Sequence, residues 1–209
     1  MTQTDGVVYL VDDDPRVREA LSELLASLKI EHVTFGSAAE YLAFERSEAC
    51  ACLVLDVRLP DINGLDLQRQ LADESCPPIV FISGHGDVPS TVRAMKAGAI
   101  EFLTKPINVE AFVTAIRAAF AQDLEHRHRV AGMESLQRRH DLLTPREREV
   151  FPLIAAGMLN KQAAAILGIT EVTLQVHRGQ IMKKMEAESF ADLVRMAAKL
   201  GIPGPDRTL

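Results

Sequence analysis

The sequence predicts an α/β chain in which a doubly wound, five-stranded parallel sheet is followed by a smaller all-α unit. Two observations carry this. Over residues 1–121, short β-rich runs alternate with stretches of helical spacing, and polar residues gather where the runs end. From about residue 140 onward the strand signals give way to short, well-capped helices. A chain of 209 residues has room for two such cores.

The elements follow in order. "VVYLV" (7–11) is apolar throughout, as a strand covered on both faces must be. Pro15 opens a helix in which Val17, Ala20, Leu21, Leu24, Leu25 and Leu28 keep helical spacing. "EHVTF" (31–35) is the second strand, and Ser37 is placed to cap the helix "AAEYLAF". "CLVLDV" (52–57), "PIVFIS" (78–83) and "IEFLT" (100–104) supply three more strands. Helical patterns around Leu65–Leu71, Val88–Ala97 and from Asn108 onward fill the intervals.

In such a sheet, ligands bind beyond the carboxyl ends of the strands, where the strand order reverses. Asp12 and Asp13 end the first strand, Asp56 the third and Ser83 the fourth, while Lys105 follows the fifth. Three carboxylates in one crevice repel each other unless a cation joins them, and an oxygen-rich site of this kind suits Mg²⁺. Lys105 brings a compact positive group that can pair with a carboxylate or a phosphoryl oxygen.

The motifs "VDDD", "LVLDVRLPDINGLDL", "FISGHGD" and "LTKP", spread over residues 7–121, resemble the receiver domains of two-component response regulators, whose sheet is flavodoxin-like. The resemblance implies that Asp56 accepts a phosphoryl group from the phosphohistidine of a histidine kinase. It also implies that Asp13, Asp56 and the Arg58 backbone carbonyl ligate Mg²⁺ directly, with Asp12 acting largely through water. Ser83 and Lys105 would bond phosphoryl oxygens, and Phe102 takes the place of the switch aromatic. Gly84 would keep the wall beside the phosphoryl group small. Lys105-Pro106 falls where the family has a cis peptide bond.

Residues 122–139 are polar and read as a helical linker that continues the last helix of the first unit. His126 and His128, two apart, lie on different faces of that helix and form no metal pair. The second unit, 140–209, begins with Thr144 as N-cap, Pro145 at the first helical position and Glu147 three beyond the cap. "NKQAAAILGI", ended by Gly168, and "TEVTLQVHRGQIMKKM", capped by Thr170, have the helix-turn-helix pattern. Leu174, Ile181 and Met185 should face the core; Gln175, Val176, Arg178, Gly179 and Met182 should face outward. Pro152 should interrupt and kink the first of these helices. The stripe Leu193, Val194, Ala197 and Leu200 fits a core face and a dimer contact equally.

Residues 140–203 resemble the LuxR-type DNA-binding domain, so the whole chain is similar to NarL/FixJ-type response regulators. "GHGDVP" and "VRAMKAGAIEF" lean to the FixJ side. The resemblance implies a recognition helix at about 171–186 in the major groove. Lys161, Thr173, His177 and Lys184 would meet phosphates, while Gln175, Val176 and Gly179 would face base edges, with Arg178 among the DNA-binding residues. Gly179 stands where relatives can carry a base-reading lysine. Implied partners are a cognate histidine kinase, operator DNA, RNA polymerase and, on activation, a second copy of the chain.

Composition agrees. Residues 1–121 hold 10 Lys and Arg against 18 Asp and Glu, a half that repels a polyanion, whereas residues 141–209 are nearly balanced at 9 against 8. No run reaches the roughly 18–20 apolar residues of a membrane span, and the opening MTQTDG lacks a signal-peptide pattern; the expected location is the cytoplasm. Cys50, Cys52 and Cys76 lack metal spacing and suit buried positions in a reducing compartment. An aspartyl-phosphate phosphohydrolase would need an acid two residues after its nucleophile, but Val57 and Arg58 follow Asp56. The expected protein is therefore a regulator, with no enzymatic activity beyond its own phosphorylation and dephosphorylation. A receiver fold that works without phosphorylation is disfavoured, because every chemical position is filled.

Overall fold

The computed structural model describes residues 6–71, 76–84 and 87–202, so His85 and Gly86 of the "FISGHGD" motif lie outside the described residues. The chain divides into two compact units, Met1–Arg127 and His128–Leu209.

In the first unit, β1 (Gly6–Val11), β2 (Glu31–Phe35), β3 (Cys50–Asp56), β4 (Ile79–Ser83) and β5 (Glu101–Thr104) form one sheet in the order β2-β1-β3-β4-β5. Every pairing is parallel. Parallel strands require crossovers, supplied by α1 (Pro15–Ser27), α2 (Ala38–Ala43), α3 (Gly64–Gln70) and α4 (Val88–Lys96), while α5 (Val109–Asp141) follows the last strand. The two-residue period of the strands divides their side chains between two cores. Tyr9, Val11, Leu53, Leu55 and Phe81 join Tyr41, Leu65, Leu67 and Ala94 on one face. Val8, Leu10, Val54, Val80 and Ile82 join Leu21, Leu25, Phe112 and Ile116 on the other. All three cysteines are free thiols, and Cys52 is wholly buried, where desolvation pushes its thiol up.

α1 is capped by Asp14, whose carboxylate accepts from the Arg16 backbone N–H at 2.9 Å. Ser37 caps α2 as its position predicts. The loop after β3 folds back on itself through an antiparallel bridge between Arg58 and Asn63. It is closed by the Gly64 N–H donating to the Val57 carbonyl at 2.8 Å. A Cβ on Gly64 would lie 2.3 Å from the Asp56 backbone carbonyl oxygen, so only glycine lets α3 start this close to the end of β3. α5 is a single helix through residues 122–139, the segment expected to be a linker helix.

The second unit contains α6 (Pro145–Ala155), α7 (Asn160–Leu167), α8 (Glu171–Lys184) and α9 (Phe190–Lys199) around one core. Thr144 and Glu147 form the reciprocal capping box. Gly168 ends α7 at φ 64°, a left-handed conformation that costs glycine little. Pro152 does not break α6: the helix runs through it, and the Ala156 N–H reaches the Pro152 carbonyl at 3.0 Å. An interior proline removes one hydrogen bond and crowds the carbonyl four residues before it, but flanking turns anchored by the core residues Val150, Phe151 and Ile154 hold the helix. Met182, expected outside, packs against the core, since it follows Ile181 and precedes Met185 by less than a turn. In α9, Leu193 and Ala197 are buried and Leu200 packs on the core, whereas Val194 is half-buried. That stripe is mainly a core face.

Candidate functional site

The first candidate site is built where β1, β3, β4 and β5 end. Asp12 follows β1 and is fully buried; Asp56 closes β3 and is nearly so. The Lys105 ammonium donates to Asp12 Oδ2 and to Asp56 Oδ2, each at 2.6 Å. The second oxygen of each carboxylate is also held: Asp12 Oδ1 accepts from the Asp14 N–H at 2.9 Å, and Asp56 Oδ1 from the Arg58 N–H at 3.1 Å. Asp13 is exposed at the rim, and one carboxylate oxygen from each of Asp12, Asp13 and Asp56 lies within 4.8 Å of the others. The donors are all oxygen, the set that suits a hard divalent cation.

Burial raises the Asp12 carboxyl above its ordinary value, outweighing the lowering effect of Lys105 and the Asp14 N–H. Burial alone would lower the Lys105 ammonium; the hydrogen bonds and charges of Asp12 and Asp56 together hold it above its ordinary value. Each group therefore depends on the other to remain ionised out of water.

Around this core, the Lys105 N–H donates to the Ser83 carbonyl at 2.8 Å, fixing β5's exit beside β4, and Lys105-Pro106 is cis. Ser83 is buried at the end of β4. Gly84 is exposed, and a Cβ there would meet no atom within 4 Å, so the wall at this point is open. Phe102 is half-buried, its ring centroid 6.1 Å from that of Phe81. Sequence reasoning missed Arg18, whose Nη1 donates to the Asp12 and Asp13 carbonyls at 2.6 and 3.0 Å. Its position in the second turn of α1, below the Asp14 cap, was the available signal.

The second candidate site is the exposed side of α7 and α8. Thr173, Gln175, Val176 and Gly179 lie exposed on α8, Lys161 lies exposed on α7, and His177 is half-buried. Thr173 also serves the Thr170 cap, its N–H donating to Thr170 Oγ1 at 3.1 Å. Two residues expected at DNA also have partners within the domain. Arg178 donates to Asn160 Oδ1 at 3.2 Å and stacks 4.3 Å over the Phe190 ring, tying α8 to both α7 and α9. Lys184 Nζ lies 2.6 Å from Glu147 Oε2, the same oxygen that accepts from the Thr144 N–H at 2.7 Å. Burial would raise the Glu147 carboxyl, but Lys184 and Thr144 outweigh it and hold the group below its ordinary value. Val172 and Lys183, both exposed on α8, were not singled out from sequence.

Residues 8–117 match the family described as response regulator receiver domain, and residues 141–197 match that described as bacterial regulatory proteins, luxR family. The chain is 46% identical over 200 residues to Nodulation protein W of Bradyrhizobium diazoefficiens, covering 95% of this chain and 88% of that protein. A solved structure of the response regulator StyR is 46% identical, with a TM-score of 0.82, covering 93% of this chain and 99% of that one. Full-length FixJ from B. japonicum is 35% identical, with a TM-score of 0.55, covering 95% and 98%.

Two predictions follow from these geometries. Lys105→Met leaves the buried Asp12 carboxylate without its cation, which should cost about 3–5 kcal/mol in urea denaturation with EDTA present. Adding Asp12→Asn should recover part of that loss, because an amide carries no charge into the crevice. Two destabilisations that merely add would show that Asp12 and Lys105 do not depend on each other. For Glu147, a folded value below the ordinary 4.5 means its stabilisation is complete above that pH and is lost as pH falls through the folded value. Glu147→Gln should therefore lower stability at pH 7 and flatten its acid dependence. Amide exchange in α6 and α8 reads both effects, and an unchanged acid profile would contradict the pairing.

Proposed function

The chain belongs to the response-regulator family, with a receiver domain joined to a LuxR-type DNA-binding domain, and we propose that Asp56 is the carboxylate on which it accepts a phosphoryl group. It is a DNA-binding transcriptional regulator of a two-component system, which makes a histidine kinase and DNA its partners. The observation that carries the Asp56 assignment is its position: it closes β3 between Lys105 at 2.6 Å and the carboxylates of Asp12 and Asp13.

In the transfer, an Asp56 oxygen attacks the phosphorus of a phosphohistidine. The new P–O bond forms an acyl phosphate, and the P–N bond breaks with its electron pair returning to that nitrogen, so the ring leaves as neutral imidazole carrying the proton its other nitrogen already held. The oxygen donors fit Mg²⁺: Asp13, Asp56 and the Arg58 carbonyl would hold it directly and Asp12 through water. When bound, the ion neutralises charge on the transferring oxygens. Lys105 meets a phosphoryl oxygen from the opposite side, leaving its bond to Asp56 and keeping that to Asp12. Ser83 turns its hydroxyl toward a second oxygen, and Phe102 follows into the space that this movement vacates. Gly84 leaves the acyl phosphate open to the water that ends the signal, and both phosphorylation and dephosphorylation are carried out by the receiver's own residues.

We further assign residues 1–121 to the receiver, 122–139 to the linker and 140–209 to the DNA-binding domain, in a cytoplasmic protein. No described helix is long and apolar enough to cross a membrane. On DNA, α8 enters the major groove with Thr173, Gln175, Val176 and Gly179 facing it, while His177 and Lys161 approach the backbone. Lys184 approaches the backbone as well and Arg178 stands among the DNA-binding residues, while their bonds to Glu147 and Asn160 position α8. Activation pairs two copies on two half-sites, since one short helix covers too few bases for specific binding, and the bound pair engages RNA polymerase. Phosphomonoester hydrolysis is disfavoured because Val57 and Arg58 follow Asp56.

Incubation with a phosphorylated kinase or acetyl phosphate in Mg²⁺ should add one phosphoryl group, located on Asp56 by mass spectrometry. Asp56→Asn or EDTA should abolish the addition. A phosphoryl group mapped to another residue would overturn the assignment.

A further inference from the structure

α8 buries Leu174, Ile181 and Met185. At 3.6 residues per turn, the line opposite these positions runs through residues 172, 176, 179 and 183. This ridge consists of two valines, a glycine and a lysine. Val172 is 73% exposed and Val176 59% exposed, the first standing in the opening turn of the helix. Gly179 adds no atom to the ridge, and a Cβ there would meet nothing within 4 Å. Lys183 is exposed at the far end, and among the described residues no ion pair involves it or Lys161 on α7.

We infer that Val172, together with Val176, reads thymine 5-methyl groups in the major groove, so that this chain's operator preference rests on apolar contact along the α8 ridge. The inference deepens, and rests on, the reading of α8 as the recognition helix. Among the four bases only thymine presents an apolar group on the major-groove edge; the others present hydrogen-bonding atoms there. A valine pressed against the amino group of cytosine or adenine would desolvate a donor and give nothing back, so valine discriminates by penalty as well as by contact. Valine is also stiff about χ1 and loses little freedom when it docks. Exposed valines neither favour a helix nor stabilise a solvated surface, whereas the flat line they form, ending at a glycine, permits close approach. Charge fits the same occupant: Lys183 at the end of the ridge and Lys161 on α7 are exposed cations suited to phosphates. Four residues of helix advance about 6 Å, close to two steps of about 3.4 Å along one strand. The two methyl groups should therefore lie about two base pairs apart in each half-site.

The test uses the full chain with Mg²⁺ and beryllofluoride, a phosphoryl mimic, to enrich duplexes from a randomised library. Each thymine of an enriched duplex is then replaced singly by deoxyuridine, which lacks only the methyl group. Two positions per half-site should each weaken binding about fourfold, the value of one buried methyl-sized group. In Val172→Ala one of those losses should vanish while the other persists, and Val176→Ala should show the converse. 5-Methylcytosine opposite Val172 should bind more tightly than cytosine. Deoxyuridine without effect at every position, or an unchanged loss in Val172→Ala, overturns the inference while leaving the recognition helix intact. A library that yields no enriched sequence overturns the recognition-helix reading itself, and this one with it. Circular dichroism of Val172→Ala should match the parent, since so exposed a side chain carries no packing.

Discussion

One ammonium group, Lys105 Nζ, stands 2.6 Å from two carboxylates that a folding argument alone would keep apart. Asp12 is fully buried and Asp56 nearly so, and charge taken that far from water is costly unless an opposite charge lies within reach. The parallel sheet is what makes this juxtaposition possible. Its order puts β1 beside β3, and its direction delivers the ends of β1, β3, β4 and β5 to one edge. The lysine arrives from a residue 93 positions away from Asp12, held by its own N–H on the Ser83 carbonyl. A site arranged in this way holds an unstable surplus of negative charge that a metal ion and a phosphoryl group would redistribute. That redistribution is what moves Ser83 and Phe102 in the proposed switch.

The second unit uses the same economy of charge to a different end. A single oxygen of Glu147 completes the α6 capping box and receives Lys184, so the start of α6 and the end of α8 share one anchor. Arg178 secures the middle of α8 to α7 and α9. Both bases hold α8 in place within the domain. What remains on its outermost line is mainly apolar, and discrimination then falls to shape and methyl groups more than to charge.

Most of the fold was legible because its signals are local. Short β-rich runs marked all five strands, and Ser37, Thr144, Gly168 and Thr170 acted as the caps and stops their positions predict. The candidate crevice was legible from topology, since strand ends converge wherever parallel strands are paired. Several features were not legible, each because its cause is distant or relative. Asp14 had no task of its own within the "VDDD" motif, yet it caps α1. Gly64 is required by the Asp56 carbonyl, a close approach that only the folded loop creates. The partners of Arg178 and Lys184 lie 18 and 37 residues away, beyond any periodicity. Pro152 was expected to interrupt α6, but tertiary packing outweighed the local rule. Val172 resembled any apolar residue near a helix start until its exposure placed it outside the core.

In the proposed switch, phosphoryl occupancy at Asp56 governs how tightly the LuxR-type domain holds DNA. The most direct measurement is the affinity of the full chain for an enriched operator, with and without Mg²⁺ and beryllofluoride, while fluorine NMR reports occupancy of the crevice. Affinity should rise by about 5- to 150-fold, the usual range of coupling between two sites, and Asp56→Asn should show no rise. An occupied crevice with unchanged operator affinity would contradict the claim.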